Sequence, residues 1–161
     1  MHSIRLASPA DFPRLQEIEV LAGAAFREVG LPEIADDDPP PVELLAGFAA
    51  AGRAWVAEVD GAVAGYLLAE VVDGRVHVAQ VSVDPAFRGR GIGAGLVDHV
   101  DDGGGVTLTT FRDVPWNAPL YRRLGFVEVE PTGGLAAVVA REAALGLDPA
   151  KRVCMLRPGR R

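Results

Sequence analysis

Residues 81–95 read Val81-Ser82-Val83-Asp84-Pro85-Ala86-Phe87-Arg88-Gly89-Arg90-Gly91-Ile92-Gly93-Ala94-Gly95. A β-branched strand ends at Val83, Asp84-Pro85 turns the chain, and four alternating glycines follow with arginine at 88 and 90. The amphipathic run Leu96-Val97-Asp98-His99-Val100 starts at once. Strand, glycine loop and helix start together predict an anion site. The first N–H groups of a helix lack intrahelical partners and point at the ligand, and the helix dipole favours negative charge. Glycine lets the backbone approach closely, and arginine guanidinium groups suit phosphate. The expected ligand carries a pyrophosphate.

Outward from this stretch, Ala54–Val59, Ala62–Val72 and Arg75–Val83 read as three strands joined by Asp60-Gly61 and Asp73-Gly74, both strong hairpin signals. Ser3–Ala7 reads as a first strand. Ser8-Pro9-Ala10-Asp11 then starts a helix whose apolar positions Leu15, Ile18, Leu21, Ala22 and Ala25 keep helical spacing to about Gly30. Residues 31–41, rich in proline and acid, read as a loop, and Val42–Ala51 as a short helix. Strands are expected at Val106–Phe111, Phe126–Glu130 and Arg152–Leu156, with helices at Asn117–Leu124 and from about Gly134 to Leu145. The architecture is α+β, a mixed, mostly antiparallel sheet of about seven strands flanked by helices, in one domain over 1–161.

Composition narrows the function classes. The chain has 161 residues, 49% hydrophobic and 24% charged, with net charge −6, as expected of one globular core. The charge argues against nucleic acid, which needs a basic face, and favours a cationic substrate. No apolar run reaches a membrane span. The single cysteine, Cys154, excludes an internal disulfide and fits a cytoplasmic setting. It lies in an apolar run and reads as a core residue.

Two motifs carry a family resemblance. Arg88-Gly89-Arg90-Gly91-Ile92-Gly93 follows a strand ending Val-x-Val-Asp-Pro. Asn117, Tyr121 and Gly125-Phe126 follow at a second fixed spacing. In these motifs and in the order of its elements, over essentially its whole length, the chain resembles the GNAT superfamily of N-acetyltransferases. One departure is that Asp101-Asp102-Gly103-Gly104-Gly105 ends the helix after the glycine loop early.

The resemblance implies acetyl-CoA as co-substrate, no metal, and transfer to a primary amine on a small molecule or peptide by direct attack in a ternary complex. The loop 88–93 would hold the pyrophosphate through its amides and through Arg88 and Arg90. The main chain of Val81, Ser82 and Val83 would take the pantetheine arm, with an amide near Val83 as oxyanion donor. Asn117 would bond the cofactor arm. Tyr121, at a reference pKa of ~10 against ~8.5 for a thiol, is the expected general acid for the departing thiolate. The base is the weak point. Many relatives place a glutamate on the strand before the loop, where this chain has Gln80. His77 on that strand titrates in a useful range, although a lone strand histidine is more often structural. Glu33 in the loop between the first helices is a second candidate base or acceptor contact, and Asp36–Asp38 read as a solvated face. Dimers are common among relatives, and Arg152–Leu156 is a candidate edge strand for homodimer pairing.

Two other readings compete. Gly89-x-Gly91-x-x-Ala94 fits a dinucleotide-binding fingerprint, but hairpins precede it where βαβ units belong. A GNAT-like acyl-CoA sensor or partner subunit with little or no activity is the second. Gln80 speaks for it, and Asn117 and Tyr121 speak against it.

Overall fold

A computed structural model describes residues 2–160. In chain order the elements are β1 (Ser3–Leu6), α1 (Phe12–Ala24), α2 (Pro32–Ala35), α3 (Val42–Ala50), β2 (Ala54–Val59), β3 (Ala62–Val72), β4 (Arg75–Val83), α4 (Ile92–Val100), β5 (Val106–Phe111), α5 (Ala118–Arg123), β6 (Val127–Val129), α6 (Gly133–Ala144) and β7 (Arg152–Arg157). The strands form one seven-stranded sheet in the order β1-β2-β3-β4-β5-β7-β6. β4 and β5 pair in parallel, whereas β1/β2, β2/β3, β5/β7 and β6/β7 are antiparallel. The predicted α+β architecture is the observed one. Contacts group the chain into two compact units, Met1–Ala69 with Ala79–Val100 and Glu70–Val78 with Asp101–Arg161.

In the first unit, α1 presents Phe12, Leu15 and Ile18 on one face, and these pack with Leu45 of α3 and with Ala54, Val56, Tyr66 and Leu68 of the sheet. Leu15 is fully buried, so truncation to alanine costs about 2–5 kcal/mol. Asp11 fixes the helix entry: its carboxylate accepts the Ser8 amide at 2.8 Å and pairs with Arg5 at 2.8 Å. The helix ends earlier than its apolar spacing predicts. Past Ala24 the chain tightens into a 3₁₀ segment, Ala25–Val29, closed by Gly30 at φ +79°. The predicted loop 31–41 also contains the one-turn helix α2. Pro32 stands at its first position, where proline's missing N–H costs nothing, so the residue read as a helix stop is a helix start.

Both predicted hairpin turns have positive φ at their two central residues, Asp60 and Gly61 (52° and 82°) and Asp73 and Gly74 (53° and 77°), the twist that matches flanking strands. In the second unit Asp73 does further work, accepting the Gly134 amide at 2.9 Å at the start of α6. The early end of α4 is followed by a well-held turn. Asp101 and Asp102 each accept an amide two residues on, at 2.9 Å, and Asp101 pairs with Arg157 at 2.9 Å. The edge-strand expectation for Arg152–Leu156 is corrected: β7 lies between β5 and β6 with both ladders occupied, and therefore offers no free edge for dimer pairing. Among the described residues no helix is long and apolar enough to cross a membrane.

Candidate active site

The glycine loop leaves β4 through a 3₁₀ turn, Pro85–Phe87, and ends at Ile92, the first residue of α4. Asp84 caps the turn, accepting the Ala86 amide at 2.9 Å. Gly89 and Gly91 sit at φ +79° and +71°, a region that L side chains rarely adopt, and a Cβ at either would meet nothing within 4 Å. These two glycines therefore serve the backbone path and keep its outer side clear. The helical ladder resumes with the Gly95 amide donating to the Gly91 carbonyl at 2.9 Å, and helix geometry leaves the N–H groups just before it without intrahelical acceptors. Arg88 and Arg90 are both exposed, and the Arg90 guanidinium lies 5.4 Å from the centre of the Phe87 ring. Helix-start amides, the positive end of a helix dipole and two exposed guanidinium groups form a cradle whose chemistry suits an anion.

Close packing holds the cradle to the sheet. A Cβ on Gly65 of β3 would lie 2.9 Å from the Ser82 carbonyl oxygen and 3.2 Å from Ile92 Cγ2. Only glycine lets β3, the end of β4 and the head of α4 meet this closely. Arg14 of α1 donates to the Val63 carbonyl at 3.0 Å and pairs with Asp84 at 2.6 Å. Burial opposes ionisation of Asp84, but the Ala86 amide and Arg14 outweigh it and hold the carboxyl below its ordinary value of 3.8. The register of β4 with β5 runs over Val76, His77 and Val78, and β4 continues to Val83.

A carboxylate unforeseen in the sequence reading meets this end of β4. Glu19 of α1 accepts from Tyr66 Oη at 2.9 Å, from Gln80 Nε2 at 3.0 Å and from Ser82 Oγ. Tyr66 is fully buried. Burial first, and then the Glu19 charge, push its pKa well above 10.0, so it stays a donor.

In the second unit, Asn117 precedes α5, and its Oδ1 lies 3.4 Å from the Phe111 amide that donates to it. The Tyr121 amide donates to the Asn117 carbonyl at 3.0 Å, which places the two residues one helical turn apart. The half-buried Tyr121 ring meets Phe126 edge-on at 5.6 Å, and burial pushes its pKa up to about 12. His77 is 2% exposed, and its Nδ1 lies 2.9 Å from Thr107 Oγ1 across the parallel ladder. Burial lowers its pKa below 6.5. Glu33 is exposed on α2. Among the described residues no group of three or more His, Cys, Asp or Glu is placed to hold a metal ion.

Residues 50–128 match the family model for the acetyltransferase (GNAT) domain. This chain belongs to the GNAT superfamily. The fold is shared with the ribosomal-protein-S18-alanine N-acetyltransferase from Escherichia coli, at 18% identity and TM-score 0.68, over 100% of this chain and 96% of that one. It is shared with Rv2747 from Mycobacterium tuberculosis, solved in complex with CoA, at 23% identity and TM-score 0.66, over 96% and 97% of the two chains. N-acetylglutamate synthase from Neisseria gonorrhoeae, complexed with coenzyme A and N-acetyl-glutamate, aligns at 18% identity and TM-score 0.73, over 100% of this chain and 36% of that one.

Within this GNAT chain the loop residues Arg88–Gly93 and the strand residues Val81–Val83 lie together in the first unit, joined through Gly65. Asn117 and Tyr121 lie together in the second, at the start of α5. His77 is buried in the second unit, where it meets Thr107. Glu19 escaped the sequence reading because it sits on a helix remote in sequence from the motifs and outside the matched segment. The available signal was Gln80, an amide where relatives carry a carboxylate, which invites a search for a carboxylate arriving from elsewhere.

Proposed function

We propose that this protein is an acetyl-CoA-dependent N-acetyltransferase, a single domain over 1–161 that moves an acetyl group to a primary amine by direct attack in a ternary complex. The observation that carries this reading is the cradle at 88–93: positive φ at Gly89 and Gly91, open space beyond them, and two exposed arginines at a helix N-terminus. CoA fits it, because a diphosphate matches the amides and guanidinium groups. Acetyl-CoA supplies an activated acyl thioester. The chain's own groups do the rest: the loop fixes the phosphates, the β4 main chain at Val81–Val83 aligns the arm, and a Val83 amide faces developing negative charge. Asn117 bonds the arm.

Tyr121 needs a restatement. At about 12 it is fully protonated at neutral pH, and passing that proton outright to a thiolate of ~8.5 is uphill by roughly 3.5 pH units, or about 5 kcal/mol. Tyr121 is therefore a hydrogen-bond donor to the leaving sulfur and keeps its own proton; as the C–N bond forms and the C–S bond breaks, the proton lost by the attacking nitrogen passes through solvent to the departing thiolate. The acceptor is an amine of the polyamine, amino-sugar or peptide N-terminal kind, cationic in solution in keeping with the net charge of −6, whose reacting nitrogen gives one proton to solvent before it attacks.

The test is thiol release from acetyl-CoA in the presence of primary amines from these three groups. Amine-dependent thiol release with matching acetylated product supports the reading. Binding of acetyl-CoA without turnover of any amine would instead favour an acyl-CoA-binding sensor.

A further inference from the structure

We propose that Glu19 is the carboxylate that receives the acceptor's ammonium group, through Oε2, and so selects cationic primary amines. This rests on the acetyltransferase reading above and adds a residue that lies outside the family match at 50–128.

The first ground is charge. Glu19 is partly buried, and its donors are a phenol, an amide and a hydroxyl, all neutral. The other partly buried carboxylates of this unit are treated differently. Asp11 and Glu58 pair with Arg5, and Asp84 with Arg14. Arg14, five residues before Glu19 on α1, is committed to Asp84, Glu17 and the Val63 carbonyl. A partly desolvated carboxylate with no cation beside it is costly, and a cationic ligand removes the cost.

The second ground is the asymmetry of the two oxygens. Oε1 accepts from Tyr66, Gln80 and Ser82, whereas Oε2 shares only the Gln80 donor at 3.0 Å. A carboxylate offers about four lone-pair sites, so the remaining capacity is concentrated on Oε2. The three donors lock the carboxylate in one orientation, as a recognition group requires.

The third ground is place. Gln80 and Ser82 flank Val81 on β4, the segment read as aligning the cofactor arm. A staple that merely tied α1 to the sheet would need no charge, and Gln would serve as well. That difference is what the experiment reads.

The experiment uses protein labelled with ¹³C at the glutamate carboxyl, with and without CoA. The Glu19 signal is assigned from Glu19→Gln, or from Glu19→Asp if the first variant fails to fold. The probe is 1,3-diaminopropane, with 1,3-propanediol and sodium chloride at matched ionic strength as controls. The expected result is a saturable shift of the Glu19 signal with the diamine alone. Diamine affinity should fall at least tenfold in Glu19→Gln, with CoA affinity unchanged. A Glu19 signal indifferent to the diamine in CoA-bound protein overturns this proposal alone, as does unaltered diamine affinity in the variant. Absence of CoA binding in the wild type overturns the acetyltransferase reading, and this proposal with it.

Discussion

Arg14 and Asp84 form an ion pair at 2.6 Å that ties α1 to the head of the glycine loop. Both side chains have further roles, Arg14 holding the Val63 carbonyl and Asp84 capping the turn that opens the loop. Removing either leaves a partly buried polar partner unmet. Arg14→Ala and Asp84→Asn should each cost about 1–3 kcal/mol of stability and weaken acetyl-CoA binding, as read by denaturant melts and calorimetry. Unchanged affinity in both variants would show that the pair does not set the loop.

Acid should unfold the protein through such carboxylates. Asp11, held down by Arg5 against the opposing effect of burial, and Asp84 both lie below their ordinary value of 3.8. The stability they contribute is present above that value and is lost as pH falls through their folded values. Asp11→Asn should therefore be less stable than wild type at pH 7, with the difference narrowing below about pH 4. A difference constant from pH 7 to pH 2 would contradict the assignment.

Gly65 is the contact that lets the sheet and α4 approach. Gly65→Ala puts a methyl 2.9 Å from the Ser82 carbonyl, which is backbone and cannot swing away. The expected cost is about 1–3 kcal/mol, with a displaced β4 end and reduced acetyl-CoA affinity. Gly91→Glu combined with Arg88→Ala is the complementary case. The added side chain meets open space, so the fold survives apart from the strain of a positive φ, while charge and bulk abolish binding. A folded double variant that binds normally would refute the cradle.

The chain's two tyrosines, Tyr66 and Tyr121, are both raised by burial, Tyr121 to about 12. Native protein should therefore show almost no tyrosinate absorbance at pH 10, and unfolded protein about half of the full signal. The stability these phenols contribute is present below pH 10 and is lost as pH rises towards their folded values. Half-ionisation of native protein at pH 10 would contradict both burial readings. In turnover, Tyr121→Phe should lower kcat with acetyl-CoA affinity intact, and the opposite pattern would remove Tyr121 from the chemistry.

The parts of the fold written in local chemistry were legible. Asp60-Gly61 and Asp73-Gly74 demanded their turns, and Gly89 and Gly91 marked the loop by a backbone need that only glycine meets cheaply. Pro32 was ambiguous because proline both ends and begins helices. The position of β7 between β5 and β6 was hidden because sequence order does not state which long-range ladders form. Glu19 was hidden for the same reason: its meaning comes from Tyr66, Gln80 and Ser82, which lie 47 to 63 residues away. His77 was legible as a titratable strand residue, whereas its burial beside Thr107 depends on a parallel ladder that sequence order does not state.

Calorimetric titration with acetyl-CoA, with free CoA and NAD as comparators, tests the central claim most directly. The cradle at 88–93 predicts micromolar binding of acetyl-CoA and CoA, no response to NAD, and no binding in the Arg88→Ala, Gly91→Glu variant. Wild-type protein that binds neither acetyl-CoA nor CoA would contradict the account and leave the glycine loop a purely structural turn.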